Sequence, residues 1–533
     1  MLRKQLKCLP ATLPQTYERI LLNIEENYSH YVLKLLQWLT YSKQPLSLLE
    51  LAEVVATDED EDPRFNPERR FPEPEDILLM CSSLVATTEE KDYSLWNVWR
   101  EGFDIESVVK VKLAHFSVKE YLVSSQIMNG DAGKYSIQEI DANVRIARDC
   151  LSYILYFTED IPGPASHEYQ FFSDQSFSDF PLARYATQEW QRHARVGGKI
   201  NEESMMELIM ELFTSDGNAF SSWCLGQFQQ YNGNVFSSWC LGKFQRYNES
   251  ETPLYYASKL NLLGVAKRLI TMGVDVNACS GRYSNALCVA SSKGHTEIVK
   301  LLLEKGADTD SLKHDWNKGS AIYHASVIGH DVIVRLLLDA GAEVEIEEYS
   351  AYHSALHAAA ANGHASIVTI LISSGMDVNL KVGKPRRYDD TAVGLASMQG
   401  HDKVAKLLIE AGADPDSKNA ALHVASDRGH DEMVKLLLGA GANINRGWLM
   451  ASPLRVAAWK GNPTTVKLLL DAGADVSLGG RWDRDSFHDS FYREQPRQVL
   501  GMLDHLAAAG AEAIDVEQMV KELEDEVELD NSS

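Results

Sequence analysis

Five histidines recur at regular intervals, and each one directly follows a glycine. They are His295, His330, His364, His401 and His430. Imidazole nitrogens are common ligands of Zn²⁺, so a histidine ladder raises the question of a metal site. Successive histidines lie one structural repeat apart, roughly 10 Å, whereas zinc ligands lie ~2 Å from a shared ion. We therefore expect separate imidazoles that bond to loop backbone, and no metal site.

No catalytic motif accompanies the histidines. The sequence lacks H-E-x-x-H, G-x-S-x-G, G-x-G-x-x-G and C-x-x-C, and it has no G-x-x-x-x-G-K-[ST] loop to hold phosphates. His488, Asp489 and Ser490 are neighbours in sequence, but a catalytic triad is defined by spatial geometry. We therefore predict that the protein is not an enzyme and binds no cofactor, metal or nucleotide.

The histidines belong to a unit of about 33 residues that occurs seven times between Thr252 and Asp475. The clearest copies have a capping Thr or Ser, an apolar stretch, a Gly-His pair, an aliphatic triplet and a closing glycine. One copy alone cannot close a core, whereas stacked copies bury a continuous one. The closing glycines are Gly273, Gly306, Gly341, Gly375, Gly412, Gly441 and Gly473.

This pattern resembles the ankyrin repeat, which consists of two antiparallel helices and a hairpin finger. The resemblance implies seven clear repeats and a degenerate eighth over residues 251–512, with a binding face made of fingers and first helices. Aromatic and Arg residues, which are enriched in binding hot spots, recur at the predicted finger tips. The candidate protein-binding residues are Arg282, Tyr283, Trp316, Asn317, Tyr349, Tyr352, Lys384, Arg386, Arg387, Tyr388, Trp448, Arg481 and Trp482.

One finger tip differs from the others in charge. Lys381, Lys384, Arg386 and Arg387 form a basic tip on an acidic protein, which favours an acidic peptide as the ligand. The segment 414–420 predicts one shortened finger in the row. For each aromatic tip residue, packing on its own neighbouring finger is an equally good interpretation.

Residues 1–135 predict a small α/β module in which short helices precede two strands, as in a winged helix. Several of its segments resemble the region that follows the NACHT ATPase in fungal NLR-like (STAND) proteins. Those proteins place a nucleotide-binding domain first and ankyrin repeats last. Because this sequence has no phosphate-binding loop, the family's nucleotide switch cannot be carried over. The similar segments are Leu9–Leu21, Leu36–Leu39, Cys81–Val85 and Leu113–Leu122.

Residues 136–250 predict a helical connector, and its segment around 180–194 resembles the bridge into the repeats of the same family. Sixteen residues at 217–232 are repeated at 233–248 with thirteen identities. A recent tandem duplication in a surface loop explains this, since loop insertions cost little free energy. A paired aromatic patch formed by Trp223 and Trp239 is the alternative.

Composition excludes some classes of function. The 533 residues carry a net charge of −25, which disfavours nonspecific binding to nucleic acid or to an anionic membrane. The seven cysteines are scattered, which indicates reduced thiols. We find no signal-peptide pattern and no apolar run near the ~18 residues of a membrane span, so we expect an intracellular protein, cytoplasmic or nuclear. Residues 513–533 predict an acidic, solubilising tail.

Together these patterns predict a mostly α protein, an ankyrin-repeat solenoid preceded by a winged-helix-like α/β module and a helical connector. We predict a non-catalytic interaction scaffold or recognition protein, an orphan NLR-like regulatory or sensor arm, that binds an unidentified protein partner. The alternative is a transcription regulator that uses the winged helix on DNA and the repeats on a co-regulator. Residues 1–135 weigh against it, because they hold 15 Lys and Arg but 22 Asp and Glu. The expected recognition helix is also acidic, with Glu73, Glu75 and Asp76.

Overall fold

A computed structural model describes most of the chain. The described residues are 12–58, 61–91, 107–157, 180–198, 203–214, 252–279, 285–310, 319–343, 354–381, 391–447, 452–479 and 506. The chain divides into two compact units, Met1–Arg246 and Tyr247–Ser533, here called the N-terminal unit and the repeat unit. Among the described residues, no helix is long and apolar enough to cross a membrane.

The N-terminal unit combines short helices with one small sheet. Its α-helices are α1 (Leu13–Leu22), α2 (Ser29–Tyr41), α3 (Leu48–Val55), α4 (Asp76–Cys81), α5 (Phe116–Leu122), α6 (Ser125–Met128), α7 (Glu139–Leu155), α8 (Ala183–Val196) and α9 (Glu203–Thr214). Its strands are β1 (Leu46–Ser47), β2 (Val85–Lys91) and β3 (Ser107–Leu113). Short 3₁₀ turns lie at Glu26–Tyr28, Pro67–Arg69, Ser82–Leu84 and Gly133–Tyr135.

The three strands form one antiparallel sheet in the order β1-β3-β2. β2 and β3 pair along their whole length, from Val85 opposite Leu113 to Lys91 opposite Ser107. β1 leads directly into α3, because Ser47 and Glu50 form a capping box at the start of that helix. The order along the chain is α2, β1, α3, α4, β2 and β3.

A buried ion pair holds α7 against α2. Lys34 Nζ lies 2.9 Å from Asp149 Oδ1, and Trp38 Nε1 donates a hydrogen bond to Asp149 Oδ2 at 2.9 Å. Burial raises the pKa of Asp149, against the opposing effect of Lys34. Removing either charge would leave the other buried and unpaired. The ion pair therefore connects α2, in residues 1–135, with α7, in the connector that follows.

A second buried network joins α7 to α8. His193 Nδ1 lies 2.7 Å from Asn143 Oδ1, and His193 Nε2 lies 2.8 Å from Tyr185 Oη. Since the amide oxygen can only accept, Nδ1 carries the proton and Nε2 accepts a hydrogen bond from Tyr185. The backbone N–H of Lys43 donates to the same Tyr185 oxygen at 3.3 Å. Burial, assisted by the nearby Arg192, lowers the pKa of His193 to about 4, so this imidazole is neutral.

The described part of the repeat unit consists of seven helix pairs. The first helices are α10 (Pro253–Lys259), α12 (Ala286–Lys293), α14 (Ala321–Ile328), α16 (Ala355–Ala361), α18 (Ala392–Gln399), α20 (Pro415–Arg428) and α22 (Pro453–Lys460). The second helices are α11 (Leu263–Thr271), α13 (Thr296–Glu304), α15 (Asp331–Asp339), α17 (Ala365–Ser373), α19 (Asp402–Glu410), α21 (Asp431–Gly439) and α23 (Pro463–Asp471). First helices pack on neighbouring first helices and second helices on second helices, so the unit has two helical layers.

Capping residues and left-handed turns set the limits of the first helices. The cap side chain accepts a hydrogen bond from the backbone three residues on at Thr252, Asn285, Ser320, Thr391 and Ser452. Ser354 makes no such bond, contrary to the sequence-based prediction. The turn glycines Gly294, Gly329, Gly363, Gly400, Gly429 and Gly461 have positive φ. In the first repeat, Asn261 occupies this position with a φ of 60°.

Both layers contribute to the core of the repeat unit. In α13, Ile298, Val299 and Leu302 are fully buried. Leu303, which we predicted to be buried, is half-buried. Leu301 is also buried, so positions i, i+1, i+3 and i+4 of this helix face the core.

The sixth first helix, α20, is longer than the others. Asp414 caps it and Pro415 occupies its first turn, so residues 415–420 are helical. The carbonyl oxygen of the Asn419 side chain accepts a hydrogen bond from the Asn443 backbone N–H at 2.6 Å, which joins the extension to the next turn. The prediction of a shortened finger at 414–420 is therefore wrong, because these residues form the capped extension of α20.

Candidate protein-binding surface

The finger-tip residues that we predicted to bind a partner lie outside the described residues, and they remain predictions. Of the basic tip, Lys381 is described and is exposed. The residues outside the described ranges are Arg282, Tyr283, Trp316, Asn317, Tyr349, Tyr352, Lys384, Arg386, Arg387, Tyr388, Trp448, Arg481 and Trp482.

Four of the five repeated histidines bond to the backbone of the preceding repeat. In each case Nε2 donates to a carbonyl oxygen at 3.1–3.2 Å, from His295 to Lys259, His364 to Val327, His401 to Ala361, and His430 to Met398. In the last pair Asn462 replaces histidine, and its Nδ2 donates to the carbonyls of Ser426 and Asp427 at 2.9 and 3.1 Å. The interpretation of these histidines as backbone-bonding groups is confirmed.

The same rings fill the space beside the turn glycine of the preceding repeat. A Cβ atom at Gly363, where φ is +75°, would lie 2.8 Å from Nδ1 of His401. Gly375 also has a positive φ, but no atom lies within 4 Å of the position of its Cβ. The turn glycines are therefore required both by backbone conformation and by the close approach of an imidazole.

These contacts lie at the end of each first helix, where two residues precede the turn glycine or Asn261. In five repeats the first of these two residues supplies a carbonyl that the His or Asn of the next repeat bonds. We call this row the ridge. It consists of Lys259 and Leu260, Ser292 and Lys293, Val327 and Ile328, Ala361 and Asn362, Met398 and Gln399, Asp427 and Arg428, and Trp459 and Lys460.

The ridge exposes apolar and basic side chains together. Ile328 is 53% exposed and Trp459 is 39% exposed. Lys293 and Arg428 are also exposed. The Lys460 ammonium lies 4.6 Å from the centre of the Trp459 ring. Our sequence reasoning missed this surface, although the residue before each Gly-His pair marks it in the sequence.

Among the described residues, no group of three or more His, Cys, Asp or Glu side chains could hold a metal ion. Burial raises the pKa of the Cys81 thiol to about 12 and also raises the pKa values of Cys150 and Cys288. These three thiols are protonated near neutral pH, which makes them poor nucleophiles.

The helix pairs and the histidine ladder agree with a family match. The family model described as "Ankyrin repeats (3 copies)" matches residues 254–348, 346–419 and 417–479. Residues 254–479 are ankyrin repeats. Such repeats are in general protein–protein interaction domains, which bind through the extended surface of the stacked array.

One curated relative was found by sequence. It is the azaphilone pigments biosynthesis cluster protein L of Monascus ruber, which is 33% identical over 310 residues. The aligned region covers 57% of this chain, so it extends beyond the ankyrin repeats. It covers 61% of the relative, and the chain therefore spans less than two thirds of that protein's length.

Solved structures of ankyrin repeat domains are also similar to part of the chain. The human ASB11 ankyrin repeat domain is 27% identical, with a TM-score of 0.36, and the match covers 42% of this chain and 99% of that one. An ankyrin repeat domain from Acinetobacter baumannii AYE is 29% identical, with a TM-score of 0.31, over 36% of this chain and 98% of that one.

Proposed function

We propose that this chain is a non-catalytic recognition protein that binds a protein partner along the ridge of its ankyrin repeats. The observation that carries the proposal is the row of exposed apolar and basic side chains at the ends of the first helices. The histidine bonds fix the backbone of this row, so little conformational entropy is lost there on binding. The predicted finger tips, among them Trp316 and Trp448, are a second contact region in this proposal.

In this proposal the N-terminal unit is a regulatory arm of winged-helix type, similar to the segment that follows the ATPase in NLR-like proteins. The order α2, β1, α3, α4, β2, β3 and the sheet order β1-β3-β2 support it. α4 stands where a winged helix carries its recognition helix. It has Asp76 in its first turn, and Leu79 is 77% exposed, so contact with protein is favoured over contact with DNA phosphates.

The name of the Monascus ruber relative supports one setting for this role. We place the chain among the accessory proteins of a biosynthesis gene cluster, with a partner from the same cluster. We also propose that the protein acts in the cytoplasm or nucleus and uses no nucleotide or cofactor.

The test is affinity capture with the full chain from its native host. Replacing Ile328 and Trp459 with Ala should weaken binding of a captured partner by about 2 kcal/mol, near thirtyfold, because apolar hot spots dominate binding. The matched control is Val332→Ala, since Val332 is 54% exposed but lies on second helix α15. A partner that binds both variants equally well would contradict the proposal.

A further inference from the structure

The charge of the ridge is opposite to that of the chain. Its fourteen residues include four basic ones and one acid, Asp427, whereas the whole chain has a net charge of −25. The basic residues are Lys259, Lys293, Arg428 and Lys460. Arg428 Nε lies 3.5 Å from the Asp427 carboxylate, but both groups are solvent-accessible, so this pair cancels little of the positive potential.

The second helices carry a different pattern. On α13 and α21 the lysines are paired with acids on the same helix, Lys300 with Glu297 at 2.8 Å and Lys435 with Glu432 at 2.7 Å. Charges of both signs on one exposed helix face produce little net potential at a distance. α11 is the exception, since it carries Lys267 and Arg268 and no acid. Apart from α11, the positive excess belongs to the ridge and not to the second helices.

The positive charges lie at the two ends of the ridge. Lys259 and Lys293 belong to the first two repeats, and Arg428 and Lys460 to the last two. Between them the ridge is uncharged, with Val327 and Ile328, Ala361 and Asn362, and Met398 and Gln399. Packed helices lie ~8–10 Å apart, so four repeat steps place Lys293 and Arg428 roughly 40 Å apart.

We propose that the ridge binds an extended segment of a partner protein in which two acidic clusters flank an apolar stretch. This inference rests on the proposed function and specifies its ligand. An extended chain rises ~3.3 Å per residue, so about twelve residues separate the two acidic clusters. The acidic side chains contact the basic ends of the ridge, and the apolar stretch covers Ile328 and Met398, which lies two repeats further along the ridge. The acidic clusters of such a partner are attracted to the basic ends of the ridge. The negative charge on the chain's other surfaces repels the same clusters.

Fluorescence anisotropy with the full-length protein and labelled peptides tests the proposal. The probe has glutamates at each end and about twelve Leu, Val and Ser residues between them. Peptides of the same composition with central glutamates, and peptides with lysines at the ends, serve as comparisons. We expect the probe to bind at least about tenfold more tightly than either comparison and to weaken with added salt.

Two charge-reversal variants separate the ridge from general electrostatics. Lys293→Glu with Arg428→Glu should weaken probe binding about tenfold or more. Lys267→Glu with Lys467→Glu makes the same change in net charge at exposed residues of second helices and should leave binding within about twofold. Equal losses in the two variants, or equal binding of single-stranded DNA of the same charge, would overturn the proposal.

The chain's own acidic end provides the remaining control. Residues 515–530 contain eight acids and one Lys, so their charge makes them the alternative occupant of the ridge that this control tests. Removing residues 513–533 should leave probe affinity unchanged. A tenfold gain would identify this segment as the occupant and overturn the assignment of a separate partner. If the Ile328 and Trp459 variant loses partner capture while the charge-reversal variant does not, the proposed function stands and the acidic ligand is excluded.

Discussion

At the scale of single residues, the turn glycine of one repeat and the histidine of the next act together to hold the two repeats in contact. The glycine provides a left-handed turn, and the histidine of the next repeat packs against it and bonds to the adjacent carbonyl. Both parts could be predicted from sequence, because a glycine after an apolar stretch signals a helix end and the spacing of the histidines argues against a shared metal. Asn261 could not be predicted in the same role, since Asn adopts the left-handed conformation less readily than glycine.

Gly363→Ala should destabilise the repeat unit more than Gly375→Ala. Both changes place a Cβ in the left-handed region, which costs ~1–2 kcal/mol. At Gly363 the new atom also meets His401 at 2.8 Å, whereas at Gly375 it meets open space. Urea unfolding of both variants measures the difference. Equal losses in free energy of unfolding would show that the imidazole contact is unimportant.

Protonation of His193 should make the N-terminal unit acid-sensitive. The pKa of His193 is lowered to about 4 in the folded protein, against a value of about 6.5 when unfolded. Between these values the unfolded chain binds a proton that the folded chain does not, so stability falls as pH falls through this window. At pH 5 the loss relative to pH 7 is on the order of 2 kcal/mol. His193→Gln should remove this part of the pH dependence of unfolding; an unchanged dependence would exclude His193 as its source.

At the scale of elements, α20 shows where sequence reasoning reached its limit. A Gly-Ala-Asp followed by proline predicts a turn into a finger, but Asp followed by proline also starts a helix well. Local signals cannot choose between the two. Burial of Ser417 and Asn419 in the stacked array favours the helix in the folded protein.

Asp414→Ala should destabilise α20 by ~1 kcal/mol, because the cap of its first turn is lost. Burial alone would raise the pKa of Asp414, but the hydrogen bond from the Ser417 backbone N–H opposes it and the pKa is lowered. The contribution of the cap is therefore present above the unfolded pKa and lost as the pH falls through the lower, folded value. Asp414→Asn retains a capping oxygen and should unfold like the wild type at pH 7. If the Asp414→Asn variant melts at the same temperature as the Asp414→Ala variant, this account is contradicted.

At the scale of the whole molecule, stability should be highest in the middle of the repeat array. Interior repeats are packed on both sides, whereas terminal repeats are packed on one. Hydrogen exchange should therefore be slowest in α14 to α18 and faster in α10 and α23, since local opening starts where packing is weakest. Uniform protection across all seven described pairs would indicate a single cooperative block instead.

The binding surface was harder to predict than the fold. Sequence reasoning chose finger residues such as Trp316 and Trp448, because aromatic residues in loops stand out in a sequence. Ile328 and Trp459 end apolar helices, so their types alone predict burial. Their exposure follows from the way each first helix stacks on the next, which periodicity within one repeat does not reveal.

Site-specific photo-crosslinking tests the central claim most directly. A photoreactive phenylalanine analogue is placed in the full-length chain at Ile328 on the ridge or at Val332 on second helix α15. The two positions are 53% and 54% exposed, so they differ in location and not in accessibility. We predict that the partner is crosslinked from position 328 and not from position 332. Crosslinking from 332 alone, or equally from both, would show that the partner binds elsewhere.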